Sequence, residues 1–146
     1  MRSPLLASLI ALAFVGNPVT SVFANAWCDT DVIIIKGRVE HPPRSAIVRV
    51  QLVYAKEKRG ESGEVTVENG KFMIQIPFLT QSHAPVLIGN VMEKCDRKPK
   101  RVVVTLLEID QNQEYDRVSL DLAHDFKLAD PTAYAPTSDI VLNGPH

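Results

Sequence analysis

Aromatic residues are scarce in this chain of 146 residues: one Trp, three Tyr and five Phe, together 6%. With so few rings to stack on bases, and a formal net charge of −1, the chain has neither the platforms nor the field that single-stranded or duplex nucleic acid requires. No nucleic-acid partner is expected. Glycine is also sparse, at seven residues, and the ten prolines follow no period, which excludes a collagen-like or low-complexity chain. No Asn-x-Ser/Thr acceptor occurs, no Gly-x-Ser-x-Gly elbow, and no pair of histidines at zinc-ligand spacing.

Long apolar runs are equally few. Leu5 to Val15 is the longest, eleven residues interrupted only by Ser8, and a helical span needs about 20. Arg2 precedes it, Gly16-Asn17-Pro18 breaks it, and Ala24-Asn25-Ala26 places small residues where a signal peptidase accepts them. Residues 1–26 are therefore expected to be a cleaved signal peptide, and residues 27–146 a single secreted or periplasmic domain with no transmembrane span. An uncleaved anchor is the alternative that this length and these flanks oppose.

Both cysteines, Cys28 and Cys95, fall in the exported part, where disulfides persist. A Cys28–Cys95 bond would close a long loop and stabilise the fold by about 2–4 kcal/mol. Free thiols or a cysteine metal site form the alternative, but no second Cys or His stands at ligand spacing beside either residue. Neither metal nor cofactor is expected.

What the chain has in quantity is alternation of period two. Val48, Val50, Leu52 and Tyr54 point one way while Arg49 and Gln51 point the other. Val65 and Val67, then Phe72, Ile74 and Ile76, repeat the pattern on either side of Asn69-Gly70, a pair suited to a type I′ hairpin turn. Further strands are predicted over residues 31–39, 85–92, 101–109, 115–122 and 138–142. Turn signals at His41-Pro42-Pro43, Lys58-Arg59-Gly60, Pro77, Pro99, Gln111-Asn112-Gln113 and Pro131 separate them. The charged stretch Lys56–Glu64 reads as a mobile hairpin end, and Ala123–Pro136 as an irregular connection with room for a helical turn near His124. The expectation is an all-β antiparallel sandwich of about seven or eight strands, because one open sheet would leave an apolar face in water.

Ile35-Lys36-Gly37-Arg38-Val39 with Pro42, then Ile47 to Tyr54, then Gly70-Lys71-Phe72-Met73-Ile74-Gln75-Ile76-Pro77, resembles the carboxypeptidase-regulatory-like and transthyretin-like domains. The resemblance covers about residues 33–77, with Pro85 to Cys95 a looser continuation. It implies an Ig-type sandwich. The hormone-binding and purine-hydrolysing residue sets of transthyretin relatives have no counterpart here, so the resemblance carries no catalytic residue.

Four local features could bear chemistry. Lys94, Arg97, Lys98, Lys100 and Arg101 crowd around Cys95 against only Glu93 and Asp96, a cluster able to meet an acidic protein face or an anionic polysaccharide. The same cluster would also serve as a charged turn that discourages edge pairing beside Val102–Leu107. Oxygen-bearing side chains recur from Glu108 to Asp116, with Asp110, Asn112, Glu114 and Asp116 as conceivable calcium ligands. However, the sharp-turn glycine and distal bidentate Glu of a calcium loop are missing, and a solvated hairpin explains the same residues. His124-Asp125 lacks a positioned nucleophile; His41, His83 and His146 stand alone. Trp27 either covers the disulfide or anchors a partner. The sequence therefore points first to an exported non-enzymatic binding or interaction module. A small hydrolase or isomerase built around His124, or a self-associating envelope subunit, is the alternative.

Overall fold

The computed structural model describes residues 28–81 and 98–146. The expected signal peptide, Trp27, His83, the strand predicted over 85–92, and Lys94, Cys95 and Arg97 lie outside the described residues.

Nine strands form two facing sheets among the described residues: β1 (Cys28–Glu40), β2 (Ala46–Val53), β3 (Arg59–Thr66), β4 (Lys71–Gln81), β5 (Arg101–Glu108), β6 (Gln113–Asp121), β7 (Phe126–Asp130), β8 (Ala133–Pro136) and β9 (Ile140–Asn143). One four-residue helix, α1 (Leu122–Asp125), joins β6 to β7. The all-β class and the sandwich architecture are as the alternation requires.

The first sheet runs β4-β1-β8-β7, with β9 also on β1. β1 and β4 pair antiparallel from Cys28↔Gln81 to Arg38↔Lys71. Val32↔Ala133 and Gly37↔Ile140 mark the places where β8 and β9 share the other edge of β1, one after the other and both parallel to it. This sheet is thus mixed, where the alternation had suggested antiparallel pairing throughout. The second sheet runs β3-β2-β5-β6, antiparallel at every step.

Facing side chains make one core. Ile33, Ile35, Phe78 and Leu142 from the first sheet meet Val48, Val50, Leu52, Val102, Val104 and Leu106 from the second, all of them fully buried. Burying side chains of this size contributes about 1.5–3 kcal/mol each, the main term opposing chain entropy.

The turn that joins β3 to β4 closes on two backbone bonds between Glu68 and Lys71, of 2.9 and 3.0 Å. Asn69 (φ 54°) and Gly70 (φ 73°) both adopt the positive angles a type I′ turn demands.

Three expectations need correction. Pro77 does not mark a turn: it lies inside β4, paired with Val32, on an edge strand where a residue without an amide is tolerated. Lys56–Glu64 is not a mobile hairpin end, because β3 already begins at Arg59 and runs through Gly60 and Gly63. Those glycines make room for side chains: a Cβ on Gly60 would fall 2.1 Å from the Tyr54 ring, and one on Gly63 would fall 2.8 Å from Ile76. Nor is Ala123–Pro136 irregular, since it holds the end of α1 and the β7–β8 hairpin. Asp130 makes that hairpin's turn by accepting from the Thr132 amide (2.8 Å) and hydroxyl (3.2 Å) through one carboxylate oxygen.

Candidate functional site

Segment 98–100 leads into β5 and is pinned on both sides. The Lys100 amide donates to the Val53 carbonyl (2.8 Å), and the Leu122 amide donates to the Lys100 carbonyl (2.9 Å). Pro99 is buried between the exposed Lys98 and Lys100. This anchoring sets both lysines at the mouth of a cleft of about 530 Å³ between the two sheets.

α1 forms the cleft's second wall. Its start is fixed by Asp121, which accepts from the amides of Ala123 (2.8 Å) and His124 (3.3 Å), while Asp125 returns the contact by accepting from the Asp121 amide (2.7 Å). This reciprocal arrangement satisfies amides that a helix N-terminus leaves without intrahelical partners. β7 and β8 supply the remainder: Phe126, Lys127, Leu128 and Tyr134. Phe126 and Leu122 are buried, whereas Leu128 is 59% exposed, unusual for so large an apolar side chain.

The electrostatics are one-sided. Lys98 Nζ lies 5.7 Å from the centre of the Tyr134 ring, a cation–π contact. Lys100 and Lys127 are exposed, and among the described residues none of these three lysines has a carboxylate partner. The acids nearby, Asp121 and Asp125, are committed to backbone amides. An apolar floor rimmed by three ammonium groups against one lining carboxylate, Asp121, suits an anion with an apolar body or backbone.

Of the basic cluster, then, Lys98 and Lys100 come together here. Arg101 does not join them: it lies on β5 and bonds Ser119 Oγ (3.1 Å) and the Glu57 carboxylate. Lys127, Leu128 and Tyr134 complete the site and were missed by sequence reasoning. Their signal, Phe126-Lys127-Leu128 alternation followed by Asp130-Pro131, was short and overshadowed by two prolines.

Other candidates resolve differently. His124 is exposed at the cleft, and among the described residues no Ser or Cys lines it. Asp110 accepts from Ser45 Oγ (3.0 Å), Glu114 pairs with Arg117 (2.7 Å), and Asp116 accepts from the Arg117 amide (2.8 Å) and the Asn143 amide (2.8 Å). These oxygens serve separate protein donors, and among the described residues no three His, Cys, Asp or Glu side chains could hold a metal ion. A larger, shallower groove of about 710 Å³ is lined by Lys36, Arg38, Lys71, Glu68, Asp139 and Met73 among others. Its charges are mixed, and Arg38 already pairs with Glu40 (3.0 Å).

Comparison with protein-family models, with curated proteins and with solved structures finds no match to this chain.

Proposed function

We propose that this protein is an exported, non-enzymatic binding module on a transthyretin-like, Ig-type sandwich tied by a Cys28–Cys95 disulfide, and that it takes an anionic ligand in the lysine-rimmed cleft. One observation carries the ligand class: Lys98, Lys100 and Lys127 line one cleft with an apolar floor, three cations against the single lining carboxylate of Asp121. Export is supported by the composition of residues 1–26. Support for the disulfide comes from the burial of Cys28, 4% exposed at the start of β1. The Ig-type reading rests on the two-sheet architecture and the motifs of residues 33–77.

The test is a calorimetric titration of the purified protein with polyglutamate and with a sulfated oligosaccharide, at low and at high salt. Each exposed charge contact contributes only about 0–1 kcal/mol, so single alanines change little. The triple variant Lys98→Ala, Lys100→Ala, Lys127→Ala is expected to weaken binding at least about tenfold, a loss of about 1.4 kcal/mol, and to flatten the salt dependence. Arg101→Ala, by contrast, leaves affinity unchanged, because that guanidinium serves Glu57 and Ser119. Unaltered binding in the triple variant, or no binding of either polyanion, defeats the proposal.

A further inference from the structure

The cleft is bordered by an open sheet edge, and the two features together define a ligand more narrowly than charge alone. β7 ends the first sheet, and among the described residues no strand pairs with its outer side. The phase of its ladder shows which groups that side presents. The Thr137 amide donates to the Asp125 carbonyl (2.9 Å), and Phe126 faces Pro136, which has no amide to donate. In an antiparallel pair the bonded positions alternate, so Lys127 exchanges bonds with Ala135 while Leu128 turns its N–H and C=O, and Phe126 its C=O, away from β8; the Phe126 N–H closes α1 on the Leu122 carbonyl. These unpaired groups stand beside the cleft that the same two residues line.

We infer that the ligand is an extended acidic peptide segment, which adds as a strand to the outer edge of β7 and places its carboxylates against Lys98, Lys100 and Lys127. This rests on the anion-binding reading above and names the ligand's class. Backbone pairing would supply affinity, and the alternate side chains would supply selectivity. Leu128, 59% exposed, offers apolar cover to a neighbouring strand.

Charge also sorts the possible occupants. A second copy of the chain would bring Lys127 and its companion lysines against their own kind, a repulsion that edge lysines impose on self-pairing. An acidic segment meets the opposite field. The edges of the second sheet are less suited: β3 carries Glu61 and Glu64, and the rim of β6 is engaged by β9 through Asp116 and the Asn143 amide (2.8 Å).

The experiment titrates the purified protein with three probes: an acetylated peptide alternating Glu and Val, the same peptide N-methylated at the backbone nitrogens of its pairing side, and a sulfated oligosaccharide. The unmodified peptide is expected to bind, and N-methylation to weaken it at least about tenfold by removing donors from the new ladder. At saturation, hydrogen exchange should slow at the Leu128 amide and stay unchanged at Phe126 and Lys127, which are bonded already. Leu128→Pro deletes an outward amide but no β7–β8 donor, and should lower peptide affinity by a similar factor.

Equal affinity for the N-methylated peptide overturns strand addition, and that result needs no variant to fold. Unchanged exchange at Leu128 does the same. If the sulfated oligosaccharide binds the lysines and the peptide does not, the peptide assignment fails while the anion-binding reading stands. If no probe binds, both fall. Protection of the Leu128 amide by dimerisation alone, seen by sedimentation, would assign the edge to a second copy and overturn the inference.

Discussion

Glu108 is the clearest case of a residue whose role depends on its neighbours. In sequence it opens a polar run that resembles a solvated loop, yet it is the last residue of β5 and only 6% exposed. Its carboxylate accepts from the Tyr115 hydroxyl across the β5–β6 pair, at 2.6 Å. That bond, assisted by burial and by the negative charge of Glu108, raises the Tyr115 hydroxyl above its ordinary value of 10.0. The folded chain therefore holds this proton more tightly than the unfolded chain. The contribution is complete below pH 10.0 and is lost as pH climbs through the raised value, because the unfolded state deprotonates first. The tyrosinate absorbance assigned to Tyr115, taken as the difference between the native protein and Tyr115→Phe, should rise only above pH 10.0. Tyr115→Phe should itself lower stability in urea unfolding, since the buried Glu108 carboxylate loses its donor. Adding Glu108→Leu should recover part of the loss, and strict additivity of the two changes would refute the coupling. No pattern of spacing could reveal this pair, for the bulge between Leu106 and Leu107 sets which β6 residue reaches Glu108.

Strands with one buried face were legible from alternation alone. β2, β4 and β5 lie close to their expected positions, and Asn69-Gly70 marked its turn correctly because only positive backbone angles fit there. β7 and β8 escaped for a physical reason. They are five and four residues long, too short for a period to declare itself, and tertiary pairing with β1 rather than local propensity holds them. The candidate site was half visible in consequence: Lys98 and Lys100 stood out as charge, whereas Lys127, Leu128 and Tyr134 acquire meaning only from the hairpin. Only the end of β3, at Val65, was read as strand; its first half escaped because its glycines read as loop, although they are where Tyr54 and Ile76 press closest. Gly37 shows the same principle more severely. It pairs with Ile140, and a Cβ there would fall 2.1 Å from the Ile140 carbonyl oxygen, backbone that cannot move without lifting β9. Gly37→Ala should cost about 1–3 kcal/mol, as overpacking does, and should speed amide exchange along β9 before it affects β3. Equal stability of the variant would show that β9 shifts freely.

Across the whole molecule, the proposed disulfide would tie β1 to the segment that precedes β5, and so link one sheet to the other. Unreduced protein should weigh about 2 Da less than reduced protein, and Cys28→Ser with Cys95→Ser should lower stability by about 2–4 kcal/mol. Two alkylatable thiols in the native, unreduced protein would remove that link from the account. The sequence offers a single candidate pairing for it, because the chain has two cysteines. That it would join two sheets could not be read there, since nothing in spacing says to which sheet β1 belongs.

β1 also governs when the fold can form. Residues 37–40 of β1 pair with residues 140–143 of β9, so a chain emerging from the ribosome in order must make the whole stretch between them before that edge can close. Synthesis at about 5–20 residues per second leaves that edge of β1 waiting for several seconds without its partner. A message truncated ahead of Ile140 therefore yields a strand edge with no partner, a natural target for holdase chaperones and proteases.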